Sequence, residues 1–237
     1  MSNRLISIII PTYNDALFLR RCLDSVFSQS FQNFEVIVVN DGSTDNTLEV
    51  LESYRDRITL IDQTNQGRNP ARMRGYAEIK GQFLLFLDSD IEMRSDMLER
   101  LFQALTEHPE KAYAYSSFRF GGKLFKGFPF DPDRLRQVNY IHTSALIRRE
   151  DFLGFDPAIK KFQDWDVWLT MLEQGKTGVF VDQVLFKASV DQQALSKWMP
   201  KIAYRIPWKL IGWKPKAITE YEQAKTIIQQ KHGIKPQ

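Results

Sequence analysis

The 237-residue chain is 43% hydrophobic and 26% charged, which is typical of a soluble protein with one large α/β domain or a domain plus an appendage. Its single cysteine, Cys22, excludes an internal disulfide, and no apolar run is long enough for a membrane-spanning helix. The net charge of +3 is uneven, because residues 197–237 carry nine Lys/Arg and two Glu. The N-terminus lacks a signal-peptide layout, so we expect a cytoplasmic protein by default.

The first half of the chain is predicted to alternate buried strands with amphipathic helices. Four short apolar runs predict strands, at 5–10, 34–39, 58–61 and 83–87. Apolar residues at helical spacing predict helices at 15–29, 44–54, 69–79 and 95–107. Because this alternation is typical of right-handed βαβ units, we predict an α/β fold with a mostly parallel, Rossmann-like central sheet.

The second half has a mixed pattern. Extended segments are predicted at 112–120, 140–148, 179–181 and 184–186, with a Gly/Pro/Phe-rich loop at 121–139. Helices are predicted at 164–174 and 221–230. We therefore divide the chain into a domain at 1–196, with halves 1–110 and 111–196, and a basic, aromatic helical tail at 197–237.

Polar residues follow three predicted strands where a parallel sheet exposes its carboxyl ends. The first strand runs into Pro11-Thr12-Tyr13-Asn14, the second into Asn40-Asp41, and the fourth into Asp88-Ser89-Asp90. Taken alone, Asp88-Ser89-Asp90 fits a turn or a helix cap about as well as a metal site. Three such ends at one edge favour a site where carboxylates hold a hard divalent cation against a phosphorylated ligand.

The common nucleotide-binding glycine motifs are missing. No Gly-x-Gly-x-x-Gly follows the first strand, and no Walker-type Gly-Lys-Ser/Thr occurs. Instead, a Gly/Asn-rich segment at 65–75 opens a helix and carries Arg68, Arg72 and Arg74 near its first turns. A helix N-terminus beside arginines suits a diphosphate, and a metal would assist it.

Together these motifs resemble the family 2 glycosyltransferases of the GT-A fold. The matching segments, in chain order, are Pro11-Thr12-Tyr13-Asn14, Asp41-Gly42-Ser43-Thr44-Asp45, Asn65-x-Gly67-x-x-x-Ala71-Arg72-x-x-Gly75, Asp88-Ser89-Asp90 and Gln163-Asp164-Trp165-Asp166-x-Trp168. Each motif is weak alone, but five in the family's order and spacing, over residues 5 to about 190, form a specific pattern.

The resemblance implies inverting transfer of a sugar from a nucleoside-diphosphate sugar, uridine-linked, to an acceptor hydroxyl, with Mn²⁺ or Mg²⁺ as cofactor. It implies that Asp90 binds the metal, that Asp164 is the general base and that Asp41 accepts a base N–H. The residues that it assigns to the nucleotide-sugar are Pro11, Thr12, Tyr13, Asn14, Asp41, Gly67, Arg72, Asp88 and Ser89. It places Gln163, Trp165 and Asp166 on the acceptor side. The implied acceptor is a saccharide or a lipid-linked molecule, in cell-surface polysaccharide or glycolipid synthesis.

Two departures from the family pattern keep a second hypothesis open. Gln163 stands where the family usually has Glu, and no histidine follows the last predicted strands, where Asp191 or water would have to assist the metal. His142 is predicted to be structural or on the acceptor side. The alternative is a protein of the same fold that binds a nucleotide-sugar in a regulatory or scaffold role without transferring the sugar. The phenylalanine-rich stretch at 124–130 is interpreted as a lid, an acceptor wall or a packed hairpin connection.

The segment at 197–214 has two interpretations. Trp198, Ile202, Ile206 and Leu210 form one stripe and the neighbouring cations another, which resembles an interfacial membrane anchor. Alternatively, the apolar stripe packs on the domain and the cations face water. Nucleic-acid binding is disfavoured, because residues 1–196 carry more acidic than basic side chains and show no recognition motif.

Overall fold

The computed structural model describes residues 5–189 and 215–235. Its strands are β1 Ile6–Thr12, β2 Phe34–Asp41, β3 Thr59–Gln63, β4 Phe83–Phe86, β5 Ile91–Met93, β6 Tyr113–Phe120, β7 Lys123–Phe125, β8 Leu146–Arg148 and β9 Gly178–Ala188. Its helices are α1 Ala16–Phe27, α2 Thr47–Glu52, α3 Arg68–Tyr76, α4 Met97–Glu107, α5 Pro132–Gln137, α6 Gln163–Glu173 and α7 Lys216–Lys231. The tail at 197–214, for which membrane contact was predicted, and Asp191 lie outside the described residues.

The described strands form one mixed sheet with a parallel half and a largely antiparallel half. The order across the sheet is β3-β2-β1-β4-β8-β6-β9-β5, with β7 paired to β6. The first four neighbours, β3, β2, β1 and β4, are parallel. Beyond β4, strands β8, β7 and β5 pair antiparallel to their neighbours, while β9 runs parallel to β6. The predicted α/β fold with a mostly parallel first half is confirmed.

Alternate residues of the parallel strands pack on opposite faces, as the period of two in a strand requires. On β1, Ile8 and Ile10 belong to the core beneath α1, α2 and α4, whereas Ile9 belongs to the core beneath α3 and α6. Both sets are fully buried. Burial on both faces explains why these strands read as continuous apolar runs.

Helix α3 lies unusually close to the parallel sheet because Gly75 faces it. A Cβ at this position would stand 2.6 Å from Cγ2 of Ile9 and 3.1 Å from Cγ2 of Val39, closer than packed carbon atoms come. The lack of a side chain therefore seats the helix on the sheet and fixes the position of its N-terminus at the sheet edge.

The second half differs from the prediction in three places. The predicted extended segment at 140–148 is a strand only over Leu146–Arg148, and the two short strands predicted at 179–186 form one strand, β9. The predicted loop at 121–139 contains β7 and α5. Phe125 stacks on Phe118 at 4.9 Å, which supports the packed hairpin interpretation of this stretch over a lid.

The C-terminal helix α7 packs on the domain. Ile228 is fully buried and joins the core beneath α3 and α6. Lys161 forms an ion pair with Glu220 at 2.6 Å, and Phe162 makes an edge contact with Tyr221. This part of the predicted tail is therefore docked against the end of the domain that carries α6. Among the described helices, none is both long and apolar enough to cross a lipid bilayer.

Candidate active site

The predicted strand-end motifs meet at one edge of the sheet. Strands β2, β1 and β4 are parallel neighbours, so their carboxyl ends lie side by side. These ends carry Asp41, Thr12 and Asp88 respectively. The topology thus brings residues far apart in sequence to one edge, which is where open α/β sheets bind ligands.

Asn14 ties the first strand end to the second. Its Oδ1 accepts hydrogen bonds from the backbone N–H of Thr44 at 2.7 Å and of Asp45 at 3.3 Å. Its own N–H donates to Ser43 Oγ at 3.0 Å. Asn14 has a φ of 56°, in the left-handed region that asparagine tolerates better than most residues. The local strain is thus offset by a fixed junction between the two motifs.

The other residues of the first motif line the same junction. Pro11 is buried within β1, and Thr12 is 2% exposed with a hydroxyl that has no partner in the described part of the chain. Tyr13, in contrast, is 46% exposed at the edge of the site. A large exposed aromatic ring beside a buried hydroxyl offers a stacking surface next to a hydrogen-bonding group.

Asp41 holds the segment that leads into α3. Its carboxylate accepts hydrogen bonds from Gln63 Nε2 at 2.8 Å and from the backbone N–H groups of Gln66 and Gly67 at 2.9 and 2.8 Å. Gly67 has a φ of 96°, which glycine adopts readily, and nothing stands within 4 Å of the place of a Cβ. The N-terminus of α3 is thus fixed by Asp41 and left open beside Gly67.

Asp88 is held by two arginines from α3. Arg72, which is 2% exposed, contacts Asp88 Oδ1 at 2.6 Å, and Arg68 lies 3.7 Å from Oδ2. Burial alone would raise the pKa of Asp88, but the two guanidinium groups outweigh it and hold that pKa well below its usual range. Arg72 also lies over the ring of Phe155 at 5.1 Å. Asp88 is therefore a charged, immobile group.

Asp90 is in the opposite electrostatic situation. Burial, Asp88 and Asp15 raise its pKa to about 7, against the effect of Arg68. Ser89, between the two acids, is buried and donates its hydroxyl to Asp15. In the described ranges no basic side chain forms an ion pair with Asp90. This end of β4 therefore concentrates negative charge that a cation would balance.

Asp164 and Gln163 begin helix α6, in the second half of the domain. The residue before them, Phe162, has a φ of 58°, a strained conformation for an aromatic residue. The Asp164 carboxylate accepts the N–H of Trp165 at 2.9 Å, while Gln163 donates to the carbonyl of Lys160. Asp164 is partly exposed. The left-handed turn at Phe162 thus sets where α6 begins, with Gln163 and Asp164 in its first turn.

Two residues predicted on the acceptor side face the opposite way. Trp165 is 2% exposed and donates Nε1–H to the carbonyl of Leu135, inside the core. Asp166 is buried and contacts Lys231 Nζ at 2.7 Å and His232 Nε2 at 2.9 Å, so it anchors the end of α7. Because residues one and two positions after Asp164 lie on other faces of the helix, neither side chain shares the face of Asp164.

Two residues outside the five motifs also belong to this part of the structure. Asp15, directly after the first motif, joins the acidic group around Asp90, and its position next to Asn14 was the available sequence signal. Burial lowers the pKa of His142 and the two arginines add to this effect, whereas the negative charges of Asp88 and Asp164 oppose it. No sequence motif surrounds His142, so its place at the site could not be derived from spacing.

Comparisons with known proteins identify the family of the chain. The sequence profile described as "Glycosyl transferase family 2" matches residues 7–156. The chain is 34% identical to the PGL/p-HBAD biosynthesis glycosyltransferase of Mycobacterium bovis over 182 residues, covering 70% of this chain and 69% of that protein. It is 34% identical to the uncharacterized glycosyltransferase YibD of Escherichia coli over 62% of this chain.

Coverage of the relatives is uneven. The aligned part spans 44% of YibD and 15% of the Streptococcus pneumoniae glycosyltransferase GlyA, to which the chain is 39% identical over 106 residues. The chain therefore spans half or less of the length of several curated relatives.

Solved structures share the fold. S. aureus TarS 1–349 in complex with UDP-GlcNAc superposes with a TM-score of 0.68 at 20% identity, over 96% of this chain and 72% of that chain. The mannosyltransferase PcManGT from Pyrobaculum calidifontis, in complex with GDP-Man and Mn²⁺, gives a TM-score of 0.65 at 20% identity, over 94% and 69%. The predicted GT-A fold is thereby confirmed, and the chain belongs to glycosyl transferase family 2.

Proposed function

We propose that the protein transfers a sugar from a nucleoside-diphosphate sugar, uridine-linked, to an acceptor hydroxyl with inversion at the anomeric carbon. The observation that carries this proposal is the pairing of a fixed Asp88 with an Asp90 that forms no ion pair in the described residues, at the end of β4 beside the open N-terminus of α3. Family membership and relatives named as glycosyltransferases support it. The UDP-GlcNAc complex of TarS supports the choice of a uridine-linked donor.

The donor would bind along the sheet edge. Tyr13 supplies a face for the base, Asp41 has one lone-pair position beyond its three hydrogen bonds, and the N-terminus of α3 suits the diphosphate. Arg68 is partly exposed and can reach a phosphate, whereas Arg72 is enclosed and keeps Asp88 in place. We therefore expect Arg68 to bind the donor diphosphate and Arg72 to position Asp88.

A divalent cation fits at Asp90, because both oxygens of Asp88 already face arginines while Asp90 lacks a cationic partner in the described residues. Within the same residues, no cluster of three or more His, Cys, Asp or Glu side chains is arranged to hold a metal. Mg²⁺ or Mn²⁺ would therefore share Asp90 with the donor diphosphate, as these ions do with one carboxylate and substrate phosphates. When bound, the ion would stabilise charge on the leaving diphosphate as a Lewis acid.

The transfer itself needs a base on the acceptor side. As the acceptor oxygen attacks the anomeric carbon, its proton passes to the Asp164 carboxylate and the bond to the diphosphate breaks, which releases the nucleoside diphosphate. Among the described residues, the N–H of Trp165 is the hydrogen-bond donor to the Asp164 carboxylate, and it engages one of the two oxygens. Attack opposite the leaving group in one displacement gives inversion. We place the acceptor, a saccharide or lipid-linked hydroxyl in cell-surface glycan synthesis, on this side.

A thermal-shift screen tests the donor side. UDP-glucose, UDP-galactose, UDP-N-acetylglucosamine and GDP-mannose would each be added with Mn²⁺, and a ligand at 100 times its Kd stabilises by about 2.7 kcal/mol. We expect a rise in melting temperature with at least one donor, and release of its nucleoside diphosphate when a saccharide acceptor is supplied. No stabilisation by any donor would overturn the proposal.

The scaffold or regulatory alternative is motivated by Gln163, which replaces an acid with an amide next to Asp164. In the structure this amide donates to the carbonyl of Lys160, so it acts within its own turn. Calorimetry separates the two functions: donor binding without release of the nucleoside diphosphate, over a broad panel of acceptors, would favour the alternative.

Contact of residues 197–214 with a membrane is a separate proposal from the sequence. The mixed aromatic and basic stripes motivate it. Sedimentation of the protein with anionic liposomes, reduced by added salt, is the expected result, and no association with the liposomes would contradict it.

A further inference from the structure

His142 has a fixed protonation pattern. Its Nδ1 lies 3.0 Å from the backbone N–H of Ser144, which can only donate, so Nδ1 must accept. Burial lowers the pKa of His142, which keeps the ring neutral. A neutral ring whose Nδ1 accepts carries its proton on Nε2. His142 therefore presents an Nε2–H donor and cannot take a second proton without losing the bond to Ser144.

The segment around His142 bridges the two halves of the site. Ser144 donates its hydroxyl to the carbonyl of Phe86, two residues before Asp88. Trp168, on the helix that begins with Asp164, donates Nε1–H to the carbonyl of Ile141. Both bonds are buried. His142 therefore lies on a segment that is tied both to the strand before Asp88 and to the helix that begins with Asp164, and while burial lowers its pKa the charges of both acids raise it.

The ring of His142 is also fixed in orientation. Phe118 and Phe186 lie 4.9 and 5.0 Å from it, tilted against its plane. These contacts pack the ring, but they provide no hydrogen-bond partner for its second nitrogen, Nε2. Nε2 has no hydrogen-bond partner in residues 5–189 and 215–235. It is also not fully enclosed, unlike the buried side-chain atoms without a partner, such as Thr12 Oγ1. A free N–H at an accessible position is available for a ligand.

We propose that His142 Nε2–H donates a hydrogen bond to an oxygen of the transferred sugar. The inference rests on the proposed glycosyltransferase function, since a sugar between Asp88 and Asp164 is what that function requires. A neutral N–H donor suits a sugar hydroxyl or carbonyl oxygen better than a phosphate, which favours cations. Because the proton is on Nε2, His142 is not a metal ligand through that atom and is not the general base.

The role is therefore that of a positioning and specificity residue for the donor sugar. A site that donates to a sugar oxygen also rejects a sugar that lacks it, because the donor would then be left unpaired. Such a contact acts on the sugar and not on the nucleotide. This difference separates it from a purely structural role of the ring, which would affect both ligands alike.

The test compares two dissociation constants in one variant. His142→Phe keeps an aromatic ring against Phe118 and Phe186 but removes the N–H, and His142→Gln keeps an N–H donor at nearly the same distance from the backbone. His108→Phe, at an exposed histidine after α4, is the matched control. Calorimetry with Mn²⁺ would measure the Kd of the best donor among the four screened sugar nucleotides and the Kd of its own nucleoside diphosphate.

For His142→Phe we expect the Kd of the sugar nucleotide to rise roughly 10-fold, with the Kd of the nucleoside diphosphate unchanged. His142→Gln should recover most of the loss, and His108→Phe should match the wild type. Equal Kd values for the sugar nucleotide in wild type and His142→Phe would overturn the inference while leaving the proposed function intact. If His142→Phe does not fold, the wild type can be tested with donors that each lack one sugar hydroxyl. For each such donor, its Kd is divided by the Kd of the nucleoside diphosphate. A ratio equal to that of the intact donor for every one of them would overturn the inference. No donor binding by the wild type would overturn the proposed function itself.

Discussion

The two halves of the molecule build their parts of the site in different ways. In the donor half, residues 5–107, the side chains stand at the ends of adjacent parallel strands and bond to each other across short distances. In the acceptor half, Asp164 and His142 stand on a helix end and an irregular segment, which are held by hydrogen bonds to distant backbone groups. The proposed binding groups are thus positioned by the sheet topology, and the proposed base is positioned by long-range packing. Substitutions should therefore separate binding, transfer and stability.

The largest effect is expected at the start of α6, where two acids two positions apart point in different directions. Asp164→Asn should lower the rate of nucleoside-diphosphate release on the order of 10²- to 10⁴-fold, because the acceptor loses its base. Donor affinity should not change. Asp166→Asn, on the buried face, should keep the rate. A coupled assay measures the rate of nucleoside-diphosphate release, and calorimetry measures donor affinity. Equal losses of rate in the two variants would refute the different roles of Asp164 and Asp166.

The next effect concerns the arginine that holds Asp88. Arg72→Met leaves a largely buried carboxylate without its closest cation, so we expect a loss of about 3 kcal/mol in the free energy of unfolding. Donor affinity should fall roughly 10-fold or more, because Asp88 is no longer fixed. Arg74→Met is the matched control on the same helix, since Arg74 is exposed and pairs only with Glu78 in the described residues. Similar donor affinities in both variants would contradict the positioning role.

A smaller loss of stability is expected where α7 docks. Asp166→Asn weakens the contacts of a buried carboxylate with Lys231 and His232, which should lower the free energy of unfolding by about 2 kcal/mol. Urea unfolding measures it. Asp133→Asn removes an exposed pair with Arg136 and should stay within about 0.5 kcal/mol of the wild type. A loss of equal size in both variants would mean that Asp166 does not anchor the helix.

The smallest effect is a pH dependence of the same contact. Burial alone would lower the pKa of His232, but its hydrogen bonds to Asp166 and Glu173 outweigh burial and raise it. A raised pKa in the folded state means that the stabilisation is complete below the ordinary value near 6.5 and is lost as the pH rises through the folded pKa. The stability advantage of wild type over His232→Gln should therefore shrink as the pH rises above about 6.5. An advantage that grows with pH would contradict a charged ring.

The donor half was predictable because its signals are local. Each parallel strand is buried on both faces, so it reads as an apolar run, and the polar residues that follow it are forced to one edge by the right-handed crossovers. Asp88 and Asp90 were therefore placed together before the structure was known. The division of labour between Arg68 and Arg72 was not, because exposure at 45% against 2% depends on how α3 sits on the sheet.

The acceptor half was less predictable because its contacts are distant in sequence. Residues 140–145 look extended, but they are taken up by hydrogen bonds to Phe86 and Trp168, so the strand begins only at Leu146. Helical periodicity located α6 correctly, yet it did not show which face meets α7 or that Trp165 and Asp166 turn away from the face of Asp164. Short strands such as β5 and β7 carry too few residues for a pattern to develop.

We propose that a metal shared by Asp90 and the donor acts together with Asp164 in one transfer site. The most direct measurement is release of nucleoside diphosphate from the best donor, with Mn²⁺ and after chelation, by wild type, Asp90→Ala and Asp164→Ala. If the metal at Asp90 and Asp164 act together, the wild type turns over with Mn²⁺. Turnover is then lost on chelation and in both variants. Undiminished turnover in both variants would contradict the account.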